Sequence, residues 1–338
     1  MKIEPIFFER NRVRRVYTGG KLFNGFFGDE AEDGFFPEEW IASSVKALNK
    51  EMTSEKEGVS KVKGSDIYFD ELIEKYPSEM LGSSQKMRIL VKILDSAVRL
   101  PAQAHPDKAF SRKHFNSEYG KTESWIILDT RPDAKIYFGF KDGVNKESFA
   151  SAIDASETDK DAMERLMEYI ESQKGDVILV PAKTVHAIGA GCLILEVQEP
   201  TDFTIQPEHW CDEYKLNDKE MYIGLSKEEA LECFDFLKTS NIKLVPDTAV
   251  DSGKVKVERL IQKTNTDCFI INRITLNDGE YSLNISDSYG VYIVTNGEGQ
   301  LVGENYTKEI KKGDYFFMPA CLMNKFSIQG NIEAVECY

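Results

Sequence analysis

The chain has 338 residues, with 57 acidic against 42 basic side chains and a formal charge of −15. Its 41% hydrophobic content and six cysteines exclude disordered, collagenous and disulfide-scaffold classes, and its length suggests about two domains. The acidic balance repels phosphate backbones and anionic lipid, so nucleic-acid and membrane-surface roles lack electrostatic support and a small-molecule partner is expected.

From the N-terminus, Lys2, Glu4 and the charged residues from Glu9 to Arg15 interrupt any apolar stretch that a signal peptide or membrane span would need, which predicts a cytoplasmic location. Short β-branched and aromatic runs bounded by turn residues follow at 88–94, 125–128, 135–140, 176–180, 192–197, 269–274, 291–295 and 315–318. The protein reads as mainly β. Met163, Leu166, Met167 and Ile170 have helical spacing, and Ser226-Lys227-Glu228-Glu229 forms a capping box at the start of another helix. Such helices look like insertions or linkers around β-barrels rather than the regular crossovers of a parallel sheet. The polar stretch 238–256, with Pro246 and Gly253, reads as a linker, dividing the chain into domains 1–238 and 239–338.

An internal repeat supports two barrels. Gly175-Asp176 through Pro181-Ala182 to His186 aligns without gaps to Gly313-Asp314 through Pro319-Ala320 to Asn324. In each copy Gly-Asp turns the chain, a strand follows, and Pro ends its ladder by withdrawing an N–H donor. The position five beyond the Pro is His186 in the first copy and Asn324 in the second, so only the first is expected to hold a metal. The second barrel is expected to be structural, covering the first or contributing to a dimer contact.

The six cysteines form no C-x-x-C pair and read as thiols in a reducing compartment. Of four histidines, His105 follows Gln103 at i+2, so on a strand both side chains face one way. With Glu123 and His186 they offer two imidazoles, a carboxylate and an amide oxygen, a set suited to a divalent ion with positions open to water or substrate. Zn, Mn, Fe, Co and Ni all remain compatible with these donors. The alternative is a hydrogen-bonded core histidine before Pro106 and a solvated carboxylate at Glu123. His114 and His209 fit surface or pocket-rim positions.

Gln103-Ala-His105-Pro106-Asp107, Gly120-Lys121-Thr122-Glu123-Ser-Trp125, Pro181-Ala-Lys-Thr-Val-His186 and Glu196-Val-Gln198 followed by Asp202 resemble, in order and spacing, the type I mannose-6-phosphate isomerases of the cupin superfamily. Gly19-Gly20 and Glu38-Glu39-Trp40 extend the resemblance toward the N-terminus. It implies two cupin (jelly-roll β-barrel) domains, the first carrying the metal and helical insertions. It implies one zinc ion per chain on Gln103, His105, Glu123 and His186, with Lys121, Asp202 and Glu196 lining the sugar pocket. Lys121 and Asp202 are then the proton-handling or hydroxyl-positioning groups, acting on a sugar phosphate in a monomer or homodimer.

The chain departs from the family at the substrate end. Gln206 stands where an arginine is usual four residues after the aspartate, Pro101 stands where a serine often precedes the ligating glutamine, and Lys183 replaces a glycine. Arg99, Lys108, Arg112, Lys113 and Lys183 are candidates to restore positive charge at the mouth, Gln206 and Lys183 being the candidate substrate-binding positions. The implied activity is interconversion of mannose 6-phosphate and fructose 6-phosphate through a cis-enediol. Alternatives are isomerisation of another, unphosphorylated aldose, or a sugar-binding metal cupin without catalysis.

Overall fold

In the computed structural model, which describes residues 3–50, 54–237 and 243–338, two antiparallel sheets organise the chain. The first has seven strands in the order Lys243–Leu244, Val177–Val180, Glu123–Thr130, Cys192–Gln198, Leu90–Asp95, Glu38–Ile41 and Arg12–Val13. The second has eight, in the order Ile6–Phe7, Tyr315–Met318, Gly290–Gly303, Phe326–Cys337, Ile271–Ser282, Val255–Ile261 and Asp247–Asp251, with Tyr306–Lys311 beside Gly290–Gly303. A three-stranded sheet of Met167–Glu171, Lys135–Phe140 and His186–Ile188 lies against the first.

The near-continuous apolar runs have a reason: the central strands of both large sheets are covered on both faces. Leu94, Trp125, Ile127 and Ile194 face one core, shared with Ile136, Phe138 and Ala187 of the small sheet. Their neighbours Ile93, Ile126, Leu195 and Val197 face the opposite way, into a second core shared with Val291, Ile293, Phe317 and Val335. Tyr292, Val294, Phe316 and Met318 close a third core beyond the second sheet. The period-2 alternation of strand side chains thus sorts consecutive apolar residues into different cores.

Both repeat copies form the expected strand, with Gly175 and Gly313 at φ of 94° and 88° opening the turns. Ser226 caps the helix Lys227–Leu231 in a capping box with Glu229, as its spacing predicts. The helix expected around Met163 to Ile170 does not form: a short 3-10 turn, Glu164–Leu166, leads into the strand Met167–Glu171. Pairing of Ile136 with Ile170 and of Phe140 with Met167 overrides the helical spacing there. The boundary at 238/239 lies outside the described residues. The polar stretch after it is an exposed edge rather than a linker, because Asp247–Asp251 pairs only with Val255–Ile261 and has solvent on both faces. Each sheet also borrows a strand from across that boundary: Ile6–Phe7 pairs with 316–317, and Lys243–Leu244 with 177–178. Among the described residues, no helix is long and apolar enough to cross a membrane. All six cysteines are free thiols, and Cys192, Cys211, Cys233 and Cys337 are buried.

Candidate active site

Strand register assembles a polar row inside an apolar sheet. Trp125 stands opposite Glu196, Glu196 opposite Lys92, and Lys92 opposite Trp40. Glu123 lies two residues before Trp125, Gln198 two after Glu196 and Glu38 two before Trp40, so all project from the same face. This face turns toward the segment 103–105, which is bridged to His186 through Gln103 and to Ile205 through Ala104.

The loop that delivers Lys121 and Glu123 is fixed by its backbone. The Glu199 carboxylate accepts from the Gly120 and Thr122 amides, the Lys121 amide donates to the Pro106 carbonyl, and Thr201 Oγ1 donates to the Gly120 carbonyl. Position 120 requires glycine because a Cβ there would lie 2.6 Å from the Pro106 carbonyl oxygen. Asp107 caps the helix Lys108–Phe115 by accepting from the Phe110 amide at 2.7 Å, which ends the His105 segment with a fixed direction.

His105, Glu123 and His186 converge, with one ligand atom from each lying within 4.8 Å of the others. All three are buried. Nδ1 of His105 bonds the Phe203 carbonyl at 2.9 Å, and Nδ1 of His186 bonds the Thr184 carbonyl at 2.8 Å. These bonds put the proton on Nδ1 and leave the Nε2 lone pair free to ligate. The Nε2 atoms lie 3.1 and 3.4 Å from the Glu123 oxygens. Burial, with the Lys121 ammonium second, pushes His105 down to about 3, and burial also lowers His186, so both imidazoles are neutral as ligation requires. Burial would raise the Glu123 carboxyl, yet the interactions around it, led by the Lys121 ammonium, outweigh burial and hold it well below the carboxylate range. His186 Nε2 is buried without a hydrogen-bond partner, a cost of about 1–3 kcal/mol that a bound cation would remove. The donor set therefore fits a divalent ion.

The same cavity, of about 300 Å³, is lined by Gln103, His105, Lys121, Glu123, Glu196, Asp202 and Gln206, bringing together seven of the residues singled out from the sequence. Pro101 lines it too. Lys183 does not; at φ 71° its backbone N–H donates to the His105 carbonyl at 2.7 Å. Arg99, Lys108, Arg112 and Lys113 are also away from the cavity; Arg99 is held by Glu208 and Glu164, Lys108 by Asp267 and Lys113 by Glu232. Half-buried His114 and His209 line no part of it. The cavity's cations are instead Arg15, Lys50, Lys92, Lys121 and Lys219.

Three of those cations are bonded inward. Lys121 Nζ lies 2.9 Å from His105 Nε2 and 3.3 Å from Glu123 Oε2. Lys92 pairs with Glu196 at 3.2 Å and Glu38 at 3.6 Å, and Arg15 pairs with Glu38 at 3.0 Å and Asp202 at 2.8 Å. Indole N–H groups of Trp125 and Trp40 donate to Glu196 and Glu38. Burial and the charge of Glu123 push the Glu196 carboxyl up against the pull of Lys92. For Asp202, Arg15 and Lys92 overcome burial and hold the carboxyl low. Lys92 had a visible signal in the sequence, a lone charge inside Leu90-Val91-Lys92-Ile93-Leu94; Arg15, in an ordinary charged segment, had none.

A buried His–Glu–His cluster beside a chain of ion pairs, on an antiparallel β scaffold, defines a metal-binding β protein with a polar small-molecule pocket. A family model described as the cupin domain of mannose-6-phosphate isomerase matches residues 261–338. The chain is 30% identical over 249 residues, 73% of either chain, to mannose-6-phosphate isomerase ManA of Bacillus subtilis, and 25% identical over 340 residues, 99% and 98% of the two chains, to mannose-6-phosphate isomerase of Streptococcus mutans. The crystal structure of mannose 6-phosphate isomerase from Bacillus subtilis superposes with a TM-score of 0.80 at 24% identity, covering 99% of this chain and all of that one. The apo enzyme from Salmonella typhimurium gives 0.74 at 16%, covering 100% and 99%, a likeness of fold. The chain belongs to the mannose-6-phosphate isomerase family.

Proposed function

We propose that the protein interconverts mannose 6-phosphate and fructose 6-phosphate, moving a proton between C2 and C1 through a cis-enediol. The observation that carries this reading is the shared cavity, in which His105 and Glu123 of the His105–Glu123–His186 cluster adjoin Lys121 and the buried Arg15–Glu38–Lys92–Glu196 chain of ion pairs. Gln103, His105, Glu123 and His186 hold one zinc ion, which supplies Lewis acidity toward the sugar oxygens when bound. Lys121 carries a proton to or from the sugar, a role supported by its Nζ lying beside His105 and Glu123. Glu196, its carboxyl raised, is the better proton acceptor of the buried carboxylates, while Asp202 works through the cation it holds. The trapped charges need no reorientation as charge develops at the enediol oxygens.

In this reading the two large sheets belong to two jelly-roll domains, 1–238 with the metal and 239–338 without, in a cytoplasmic monomer or homodimer. A second reading, isomerisation of an unphosphorylated aldose, is favoured by Pro101 and Gln206, which line the cavity with neither charge nor hydroxyl. The test is a coupled assay of the zinc-loaded protein on mannose 6-phosphate and on mannose, each with a chelated control. Chelator-sensitive turnover of the phosphosugar is expected. Turnover of mannose alone would select the second reading, and sugar binding without exchange of the C2 proton would leave a binding protein.

A further inference from the structure

Arg15 is the only arginine lining the cavity among the described residues. Its side chain is 13% exposed and its guanidinium lies 5.1 Å from the Trp40 ring. A guanidinium has five N–H donors. Nε lies 3.0 Å from Glu38 Oε1 as an ion pair, while Nη1 donates to Asn49 Oδ1 at 3.2 Å and to Asp202 Oδ2 at 3.1 Å, and Nη2 donates to Asp202 Oδ1 at 2.8 Å. Among the described residues, one Nη2 N–H is left without a protein acceptor. Asp202, in contrast, is filled: Arg15 bonds both oxygens, and the Leu48 amide donates to Oδ2 at 2.8 Å. A buried carboxylate with three charge-stabilising donors is a weak base. Gln206 supplies no charge nearby, and its amide donates one N–H to the Glu220 carbonyl at 3.1 Å.

We infer that Arg15 binds the sugar: Asp202 and Glu38 clamp its guanidinium, and the remaining Nη2 N–H donates to an oxygen at the C1–C2 end, leaving Asp202 as the anchor and not the proton carrier. The ion-pair chain from Arg15 through Glu38 and Lys92 to Glu196 joins this donor to the surroundings of Glu123. A fixed cationic donor gains strength as that oxygen gains charge in the transition state, so its loss falls on kcat more than on KM. The inference rests on the isomerase reading.

The test compares wild type, Arg15→Gln, Arg15→Lys and Asp202→Asn, each zinc-loaded, for kcat and KM on mannose 6-phosphate, with metal content and melting temperature recorded. Arg15→Gln is expected to lower kcat by about 100-fold or more with a smaller change in KM and full metal content. Arg15→Lys keeps the charge and the stem over Trp40 but not the fork, and is expected to fall between Arg15→Gln and wild type. Asp202→Asn retains an acceptor for the guanidinium and is expected to lose less than Arg15→Gln. A larger loss in Asp202→Asn, a rise in KM at unchanged kcat in Arg15→Gln, or a fully active Arg15→Lys would each overturn the inference, and Arg15→Lys decides the matter if Arg15→Gln does not fold. An active wild type with an equally active Arg15→Gln removes this inference alone. A wild type inert toward the phosphosugar removes the isomerase reading with it.

Discussion

Each imidazole of the cluster is committed at Nδ1 to a backbone carbonyl, so neither ring can turn its other nitrogen away from Glu123 without breaking a buried hydrogen bond. Replacing His105 or His186 by Ala removes one nitrogen ligand and is expected to abolish both stoichiometric metal and turnover, measured by elemental analysis and the coupled assay; an active, metal-free variant would refute the ligand set. The ion pairs next to the cluster predict a pH response. Burial opposes ionisation of Glu38 and Asp202, but Arg15 and Lys92 prevail, so their folded carboxyls lie below the ordinary values of 4.5 and 3.8. As pH falls, the unfolded chain takes up these protons first; the stabilisation is complete above the unfolded values and is lost as pH drops through the folded ones. The urea midpoint is therefore expected to start falling below about pH 4.5 through this cluster in wild type. In Arg15→Gln the advantage at pH 7 is already reduced, so the two proteins converge in acid; a stability gap independent of pH would contradict the pairing.

The strand Glu38–Ile41 works on both of its faces. Glu38 joins the cavity network, while Glu39, fully buried, accepts from the Asn11 amide and from the hydroxyl of Tyr315 in the second sheet, and pairs with Arg12 at 3.0 Å. A hydrogen bond thus ties the site-bearing strand to the second sheet. Tyr315→Phe leaves a buried carboxylate short of a donor and is expected to destabilise by about 1–3 kcal/mol in urea unfolding, with metal content unchanged; a neutral effect would mean the hydroxyl contributes nothing across the interface. Strand elements of this kind were legible because burial on both faces writes continuous apolar runs, as at residues 192–197 and 315–318. The edge Asp247–Asp251 was misread for the complementary reason: a strand exposed on both faces has the composition of a linker. Residues 163–170 carried a helical spacing by coincidence, with cross-strand partners over 25 residues away deciding the outcome. The convergence of His105, Glu123 and His186 was legible from residue type and spacing, but Arg15 was not, since its partner Asp202 is 187 residues away and only the fold brings them together.

At the scale of the molecule, the middle apolar core decides how metal and stability are coupled. It takes Val91, Ile93, Leu195 and Val197 from the back of the site-bearing sheet and Val291, Ile293, Phe317 and Val335 from the second, and both sheets exchange end strands. Opening either sheet alone would expose this shared layer, at about 25 cal/mol for every Å² of apolar surface returned to water. The cluster that holds the metal begins at Glu123, whose strand contributes Ile126 and Leu128 to that same layer. A ligand that binds only the folded state stabilises whatever unit unfolds with its site, by about 4 kcal/mol at a thousandfold excess over Kd. Calorimetry of the zinc-loaded protein is therefore expected to show one transition, and chelation is expected to move the whole of it to lower temperature. Two transitions, only one of them sensitive to the chelator, would mean that the second sheet folds independently and that the shared core does not couple it to the site.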